Sequence, residues 1–280
     1  MSHLTINIKG QLLSLAKPQV MGIVNLTPDS FYAPSRKQSE ESLRRRIGEI
    51  LDEGATMIDV GAYSSRPGAA NVTTAEEMQR LRRGLAVINI CAPQATVSVD
   101  TFRADVARMC VEEYGVDIIN DISGGQLDPE MFTTVASLHV PYILMHMKGT
   151  PQTMQQAPVY DDLIGEMFYY FSERVKRLHD LGVCDIILDP GFGFAKTLEH
   201  NYQLLANLQD FRCFGLPLLV GVSRKSMIYK LLGTTADEAL NGTTVVNTLA
   251  LVKGANILRV HDVRACTEAV AIFNAMNNNA

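Results

Sequence analysis

The chain lacks most of the features that would take it out of ordinary globular chemistry. None of its 280 residues falls in an uncharged apolar run of about 18, the length a helix needs to cross a bilayer, so no membrane partner is expected. From Ser2 to Leu15 polar and apolar residues alternate, whereas a secretion signal pairs a basic stretch with a continuous apolar one. Cysteine is scarce: Cys91, Cys110, Cys184, Cys213 and Cys266 are odd in number, scattered, and show no C-x-x-C spacing, which points to a reducing cytoplasm. Positive charge is not in excess, with 25 Lys and Arg against 30 Asp and Glu, so nucleic acid is not an expected partner. There is no H-E-x-x-H, no tight Cys/His cluster and no G-x-S-x-G elbow, and no Cys stands at a strand end. Zinc chemistry and covalent nucleophilic catalysis therefore have no candidate, and a small-molecule substrate is expected.

What is present is a repeated alternation of short, β-branched apolar runs with stretches of helical period, the pattern of βαβ units around a buried parallel sheet. Eight runs recur: Val20–Asn25, Thr56–Gly61, Thr96–Thr101, Asp117–Ser123, Tyr142–Met147, Asp185–Asp189, Leu218–Val222 and Asn256–His261. Helices are expected over Glu40–Glu53, Ala75–Ile90, Ala104–Tyr114, Pro129–Leu138, Leu163–Leu181, Leu198–Leu208, Ala236–Val252 and Ala265–Met276. Eight units predict a (β/α)₈ TIM barrel, which takes roughly 250 residues, as one domain over 1–280. A doubly wound open sheet would normally follow its first strand with a glycine-rich loop, and Asn25-Leu26-Thr27-Pro28 is not one. Leu4–Leu15 predicts a small β-hairpin covering the lower end of the barrel. Two long connections, Leu26–Ser39 and Tyr63–Thr74, fall on the carboxyl side, where barrel enzymes place their lids.

Polar residues interrupt the apolar runs near their carboxyl ends: Asn25, Asp59, Asp100, Asn120 with Asp121, His146, Asp189, Arg224 with Lys225, and Arg259 with His261. One Asp or Asn after a strand is often only a turn former. A full ring of them is different, because burying so many polar groups costs several kcal/mol unless they meet partners or a ligand. Asp100, Asn120 and Asp189 supply acceptors and an amide suited to the edge of a flat heterocycle bearing N–H donors. Arg259, His261, Lys225 and the amide of Asn25 are suited to an anion, and Asn25 could complete a Mg²⁺ shell kept open for phosphate oxygens and water. Ser223-Arg224-Lys225-Ser226 leads into a helix whose amino end also favours anions. Asp189-Pro190-Gly191-Phe192-Gly193-Phe194 pairs an acid with a glycine-rich aromatic turn.

These segments together resemble the dihydropteroate synthase family of pterin-binding enzymes, from about Met21 to Val263. The stretches that carry the resemblance are Met21-Gly22-Ile23-Val24-Asn25-Leu26-Thr27-Pro28-Asp29-Ser30-Phe31, Ser64-Ser65-Arg66-Pro67-Gly68, Ser98-Val99-Asp100-Thr101, Ile119-Asn120-Asp121-Ile122-Ser123-Gly124-Gly125, Leu144-Met145-His146-Met147, the Asp189–Phe194 turn, Gly221-Val222-Ser223-Arg224-Lys225-Ser226 and Arg259-Val260-His261-Asp262-Val263. The resemblance implies condensation of 6-hydroxymethyl-7,8-dihydropterin pyrophosphate with p-aminobenzoate, with Mg²⁺ present, in a homodimer paired through helices away from the barrel mouth. It implies that Asp100, Asn120, Asp189 and Lys225 hold the pterin, with Asp100, Lys225, Asp189 and Arg259 carrying the chemistry. Asn25, Arg259 and His261 would hold pyrophosphate and metal, and Ser65, Arg66, Pro67, Phe194, Ser226 and the Thr27–Phe31 loop would frame p-aminobenzoate, the substrate that sulfonamides resemble. Two stretches depart from the family pattern: Tyr32-Ala33-Pro34-Ser35 stands where Ser-Asp-Gly-Gly is usual, and Tyr63-Ser64-Ser65-Arg66 where Glu-Ser-Thr-Arg is usual.

Two other readings compete. A corrinoid-dependent methyltetrahydrofolate methyltransferase of the related barrels would share the acid and amide cradle but not the first lid or the Arg259/His261 clamp. A catalytically silent pterin-binding barrel would have no use for so complete a set of reacting-group partners.

Overall fold

The eight apolar runs become eight parallel strands. The computed structural model describes residues 4–26, 36–63, 72–149 and 158–278. Among them the strands are β3 (Gln19–Asn25), β4 (Met57–Gly61), β5 (Thr96–Asp100), β6 (Ile118–Asp121), β7 (Tyr142–Met145), β8 (Ile186–Asp189), β9 (Leu219–Val220) and β10 (Ile257–Val260). They pair in chain order from β3 to β8, and β10 lies between β3 and β9. A parallel bridge from Leu218 to Leu188 brings β9 against β8 and closes the ring. A short antiparallel hairpin, β1 (Thr5–Ile8) with β2 (Gln11–Ser14), precedes the barrel as expected.

Side chains of a strand alternate sides, so each run splits into an inward and an outward set. Met21, Met57, Ile118, Ile143, Ile187, Leu219 and Ile257 are the inward residues of the lower layer, and Ile6 and Leu15 of the hairpin segment join them in one buried cluster. The barrel floor is thus an apolar plug. Outward residues such as Val24, Ile58, Val60, Val99, Leu144, Leu188 and Leu258 pack under the helices. Burying both faces is why the strands read as continuous apolar runs.

The helices are α1 (Arg36–Asp52), α2 (Thr74–Cys91), α3 (Ala104–Tyr114), α4 (Met131–Leu138), α5 (Leu163–Asp180), α6 (Leu198–Ala206), α7 (Ser226–Leu232), α8 (Leu240–Val252) and α9 (Val263–Asn278), with a 3₁₀ segment at Leu208–Phe214. The helix expected from Ala236 begins only at Leu240. Glu238 takes the hydroxyls of Thr234 and Thr235, and Arg224 takes the carbonyls of Ala236 and Asp237, so these groups stabilise a turn instead. The stretch after Lys225 forms the separate short helix α7, ended by Gly233 in the left-handed conformation (φ 64°). A helix expected from Pro129 starts at Met131, because Asp128 accepts from the amides of Ala104 and Glu130 and closes the preceding turn.

Candidate active site

The inward positions change character on passing from the floor to the mouth. Asn25, Gly61, Asp100 and Asn120 stand in register across β3, β4, β5 and β6, with Asp59 and Ser98 one inward step below on β4 and β5. From β10, Arg259 reaches across β3. Its Nε donates to Asp59 Oδ2 at 2.6 Å and its Nη2 to Asp100 Oδ2 at 3.1 Å, leaving the rest of the guanidinium fork for the mouth. Asp59 is fully buried and accepts from Ser98 Oγ at 2.6 Å and from Asn120 Nδ2 at 3.3 Å. Asn120 Oδ1 is buried and meets no hydrogen-bond donor among the described residues. A buried carbonyl without a donor costs about 1–3 kcal/mol, so a ligand N–H would recover that energy here.

A second arm comes from β8 and β9. Asp189 ends β8 with its Oδ1 accepting from the Gly191 amide at 2.8 Å. Lys225 donates to the Phe192 carbonyl at 2.5 Å and stands 4.6 Å from the centroid of the Phe194 ring, a cation–π contact. The two arms converge electrostatically. Burial raises the Asp189 carboxyl, opposed first by Lys225 and also by Arg259. Burial likewise raises Asp100 to about 7 against the pull of Arg259, with Asp59 adding to the rise. Lys225 is brought down to about 8 by burial, against the attraction of Asp189. Groups poised near neutrality in one cleft mark a working site.

The remaining expected residues divide clearly. Asn25 is exposed at the end of β3, and Phe194 and Ser226 are half-buried beside Lys225. His261 lies just past β10, where its amide donates to Ser223 Oγ and its carbonyl accepts from Arg46. Ser65, Arg66, Pro67, the Thr27–Phe31 loop and Tyr32–Ser35 lie outside the described residues. Of the second departure Tyr63 is described: its ring meets Phe102 edge-on at 5.1 Å, and the Arg103 guanidinium stands over it.

Three residues of the sequence-read ring do not face the mouth. Asp121 and His146 have the outward strand parity. Asp121 accepts from the Ser123 and Gly125 amides and from Tyr142 Oη, shaping the turn after β6. His146 sits against the Tyr170 ring of α5. Arg224 forms a paired bridge to Asp262 at 2.8 Å through both Nε and Nη2, tying the β9 end to the β10 end. Sequence reasoning undervalued Asp59, the closest partner of Arg259, and passed over Lys196, which is buried at the back of the Asp189 turn. Asp59 shares inward parity with Met57, a usable signal, whereas nothing in the local pattern marks Lys196.

Among the described residues no group of three or more His, Cys, Asp and Glu is placed to hold a metal. Mg²⁺ needs no such cage, since it keeps waters and takes one or two protein oxygens beside substrate phosphates. Arg259 engages Asp59 and Asp100, and the exposed amide oxygen of Asn25 is a donor of the kind this role takes.

A parallel barrel with acids and amides on one side of its mouth and an arginine on the other defines an enzyme for flat, N–H-bearing substrates with an anionic group. The family model for pterin-binding enzymes matches residues 21–261. The dihydropteroate synthase of Escherichia coli K12 is 43% identical over 271 residues, covering 95% of this chain and 94% of that protein. That of Synechocystis is 42% identical, covering 92% and 89%. The crystal structure of the Yersinia pestis dihydropteroate synthase with a sulfonamide drug complex superposes with a TM-score of 0.90 at 39% identity, covering 98% of this chain and all of that one. The Xanthomonas albilineans dihydropteroate synthase with 4-aminobenzoic acid gives 0.88 at 37% identity, covering 99% of each chain. The chain belongs to the pterin-binding enzyme family, among its dihydropteroate synthases.

Proposed function

We propose that the mouth performs the family's transferase reaction of folate synthesis with this division of labour: Asp100, Asn120, Asp189 and Lys225 hold the pterin, and Arg259 and His261 hold the pyrophosphate. The observation that carries the assignment is the orphaned Asn120 Oδ1, in register with Asp100 on the neighbouring strand, an acceptor left for a ligand N–H in the mouth that Arg259 enters. In the reaction the C–O bond from the pterin's exocyclic methylene to pyrophosphate breaks. The C–N bond to the arylamine of p-aminobenzoate forms, and that nitrogen loses a proton. Departure can precede attack, because Arg259 neutralises charge developing on the leaving group while the Asp100 and Asp189 carboxylates offset the positive charge left on the pterin. The arylamine is nucleophilic at neutral pH and needs no base. Ser65, Arg66, Pro67, Phe194, Ser226 and the Thr27–Phe31 loop frame p-aminobenzoate in this reading and exclude water.

The test is pyrophosphate release from 6-hydroxymethyl-7,8-dihydropterin pyrophosphate followed with and without p-aminobenzoate. Release that depends on p-aminobenzoate supports the reading. Sustained release without it, beyond one equivalent of enzyme, or corrinoid-dependent demethylation of methyltetrahydrofolate, would count against it.

Mg²⁺ bound at Asn25 would supply further charge neutralisation to the pyrophosphate. Asn25→Ala should therefore raise the Mg²⁺ concentration that half-saturates pyrophosphate-pterin binding by about tenfold, while binding of unphosphorylated pterin stays unchanged. An unchanged Mg²⁺ dependence in calorimetric titrations would remove Asn25 from the metal site.

The profile of kcat/KM should be bell-shaped. Below about 7 the Asp100 carboxylate is protonated and loses its hold on ring N–H groups and on Arg259, and above about 8 Lys225 loses its charge. Asp100→Asn should abolish the acid limb, and an acid limb of unchanged midpoint in that variant would assign it elsewhere.

A homodimer is part of the proposal. Val245, Leu249 and Val252 on α8 are exposed at helical spacing, and Ile272 and Met276 are exposed one turn apart on the adjoining α9, so the two helices offer apolar surface suited to a second copy. No helix is long and apolar enough to cross a membrane among the described residues, and the five cysteines are free thiols, in keeping with a cytoplasmic enzyme.

A further inference from the structure

The turn after β8 is unfavourable backbone. Gly191 (φ 71°), Gly193 (φ 79°) and Ala195 (φ 47°) all lie in the left-handed region, and Ala195 carries a Cβ that resists it. At Gly191 a Cβ would stand 2.1 Å from the carbonyl oxygen of His146. Such a backbone persists only where its surroundings over-determine it. Asn201 Oδ1 accepts from the Gly193 amide at 2.7 Å and Tyr160 Oη donates to the Ala195 carbonyl at 2.9 Å, and one ammonium group holds two further carbonyls. Lys196, 4% exposed, donates to the carbonyl of Gly191 at 3.0 Å and to that of Phe194 at 3.1 Å, and its third neighbour is His146 Nδ1 at 3.1 Å. Burial brings Lys196 down to about 7, and in its ammonium form it has no lone pair, so His146 then accepts at Nδ1 and keeps its ring proton on Nε2. The imidazole is held neutral by burial and then by the nearby Lys196 charge, both of which lower it well below its usual range. Its ring is set edge-on to Tyr170 at 4.8 Å, and its backbone amide donates to the Asp189 carbonyl at 2.9 Å.

Lys196 makes no hydrogen bond to the Asp189 carboxylate or to Lys225, but both depend on the turn it closes. The Gly191 amide holds Asp189 Oδ1, and the Phe192 carbonyl holds Lys225 Nζ. A methionine of similar length would fill the same volume without the cost of burying a cation. Packing alone therefore does not account for a lysine here. We infer that Lys196, with His146 as its fixed acceptor, is a positioning residue of the pterin subsite, locking the Gly191–Ala195 turn so that Asp189 and Lys225 meet the ring in register. The inference rests on the proposed pterin pocket.

The test measures 6-hydroxymethylpterin affinity by calorimetry, together with KM for p-aminobenzoate at saturating pterin pyrophosphate, on the whole chain. Lys196→Met should keep its circular dichroism, raise the pterin Kd about tenfold or more, and, because Phe194 belongs to the same turn, raise KM for p-aminobenzoate by a smaller factor of about threefold. His146→Asn, which keeps an acceptor where Nδ1 stood, should hold the wild-type pterin Kd, and His146→Leu should weaken it. A folded Lys196→Met that binds pterin as the wild type does, or that loses both substrates equally, overturns the inference. Should Lys196→Met fail to fold, the histidine pair decides, and equal pterin affinities for His146→Asn and His146→Leu overturn it. Asp189→Asn in the same assay separates the two levels: retained pterin affinity there would sink the pocket itself, whereas its loss beside a normal Lys196→Met would sink only the positioning role.

Discussion

Arg259→Ala is expected to weaken the pyrophosphate-bearing pterin by three orders of magnitude or so while weakening unphosphorylated pterin far less, and to lower stability at the same time. The binding loss follows from removing a guanidinium fork from a mouth where each charge-assisted hydrogen bond contributes about 1.5–3 kcal/mol. The stability loss follows from what remains. Asp59 is fully buried, and without Arg259 its carboxylate keeps only Ser98 and Asn120, while Asp100 loses its nearest cation. Breaking a buried pair by removing one partner costs about 3–5 kcal/mol. Asp59→Asn in the Arg259→Ala background should therefore recover much of the thermal stability without recovering pyrophosphate affinity. Paired titrations with the phosphorylated and unphosphorylated pterins, beside thermal melts, read both effects. Equal losses for the two ligands would place Arg259 outside the anion site.

Asp189→Asn should lower pterin affinity by about 3 kcal/mol, two orders of magnitude, with KM for p-aminobenzoate close to wild type. The isosteric amide keeps one acceptor for the Gly191 amide but replaces the second carboxylate oxygen with a donor, which would face the donor N–H groups of the ring. Stability should change little, because burial already disfavours the Asp189 charge and the substitution removes that cost while leaving Lys225 its bond to the Phe192 carbonyl. A pterin Kd within threefold or so of wild type would remove Asp189 from the pocket.

Much of the site was legible because barrel strands alternate strictly. Asp59, Asp100, Asn120, Asp189 and Arg259 share the inward parity of the floor residues Met57, Ile118, Ile187 and Ile257, so polar residues at those positions must line the mouth. The same parity sends Asp121 and His146 outward, but a run buried on both faces shows no polar alternation from which to read it, so in sequence they group with the mouth residues. Arg224 misled for another reason: next to Lys225 it reads as a second mouth cation, yet at φ 52° it turns back onto Asp262.

The order of eight apolar runs and intervening helices, the hairpin at the amino end, and the residue types gathered at the strand ends were determined by the sequence alone, because burial of both sheet faces and a period of two leave a local imprint. The pairing of Arg259 with Asp59 and Asp100, the orphaned Asn120 oxygen, and the burial of Lys196 against His146 were decided only when the barrel closed. Each joins side chains from different strands or turns, and their energies depend on a distance and a loss of water that no local pattern encodes.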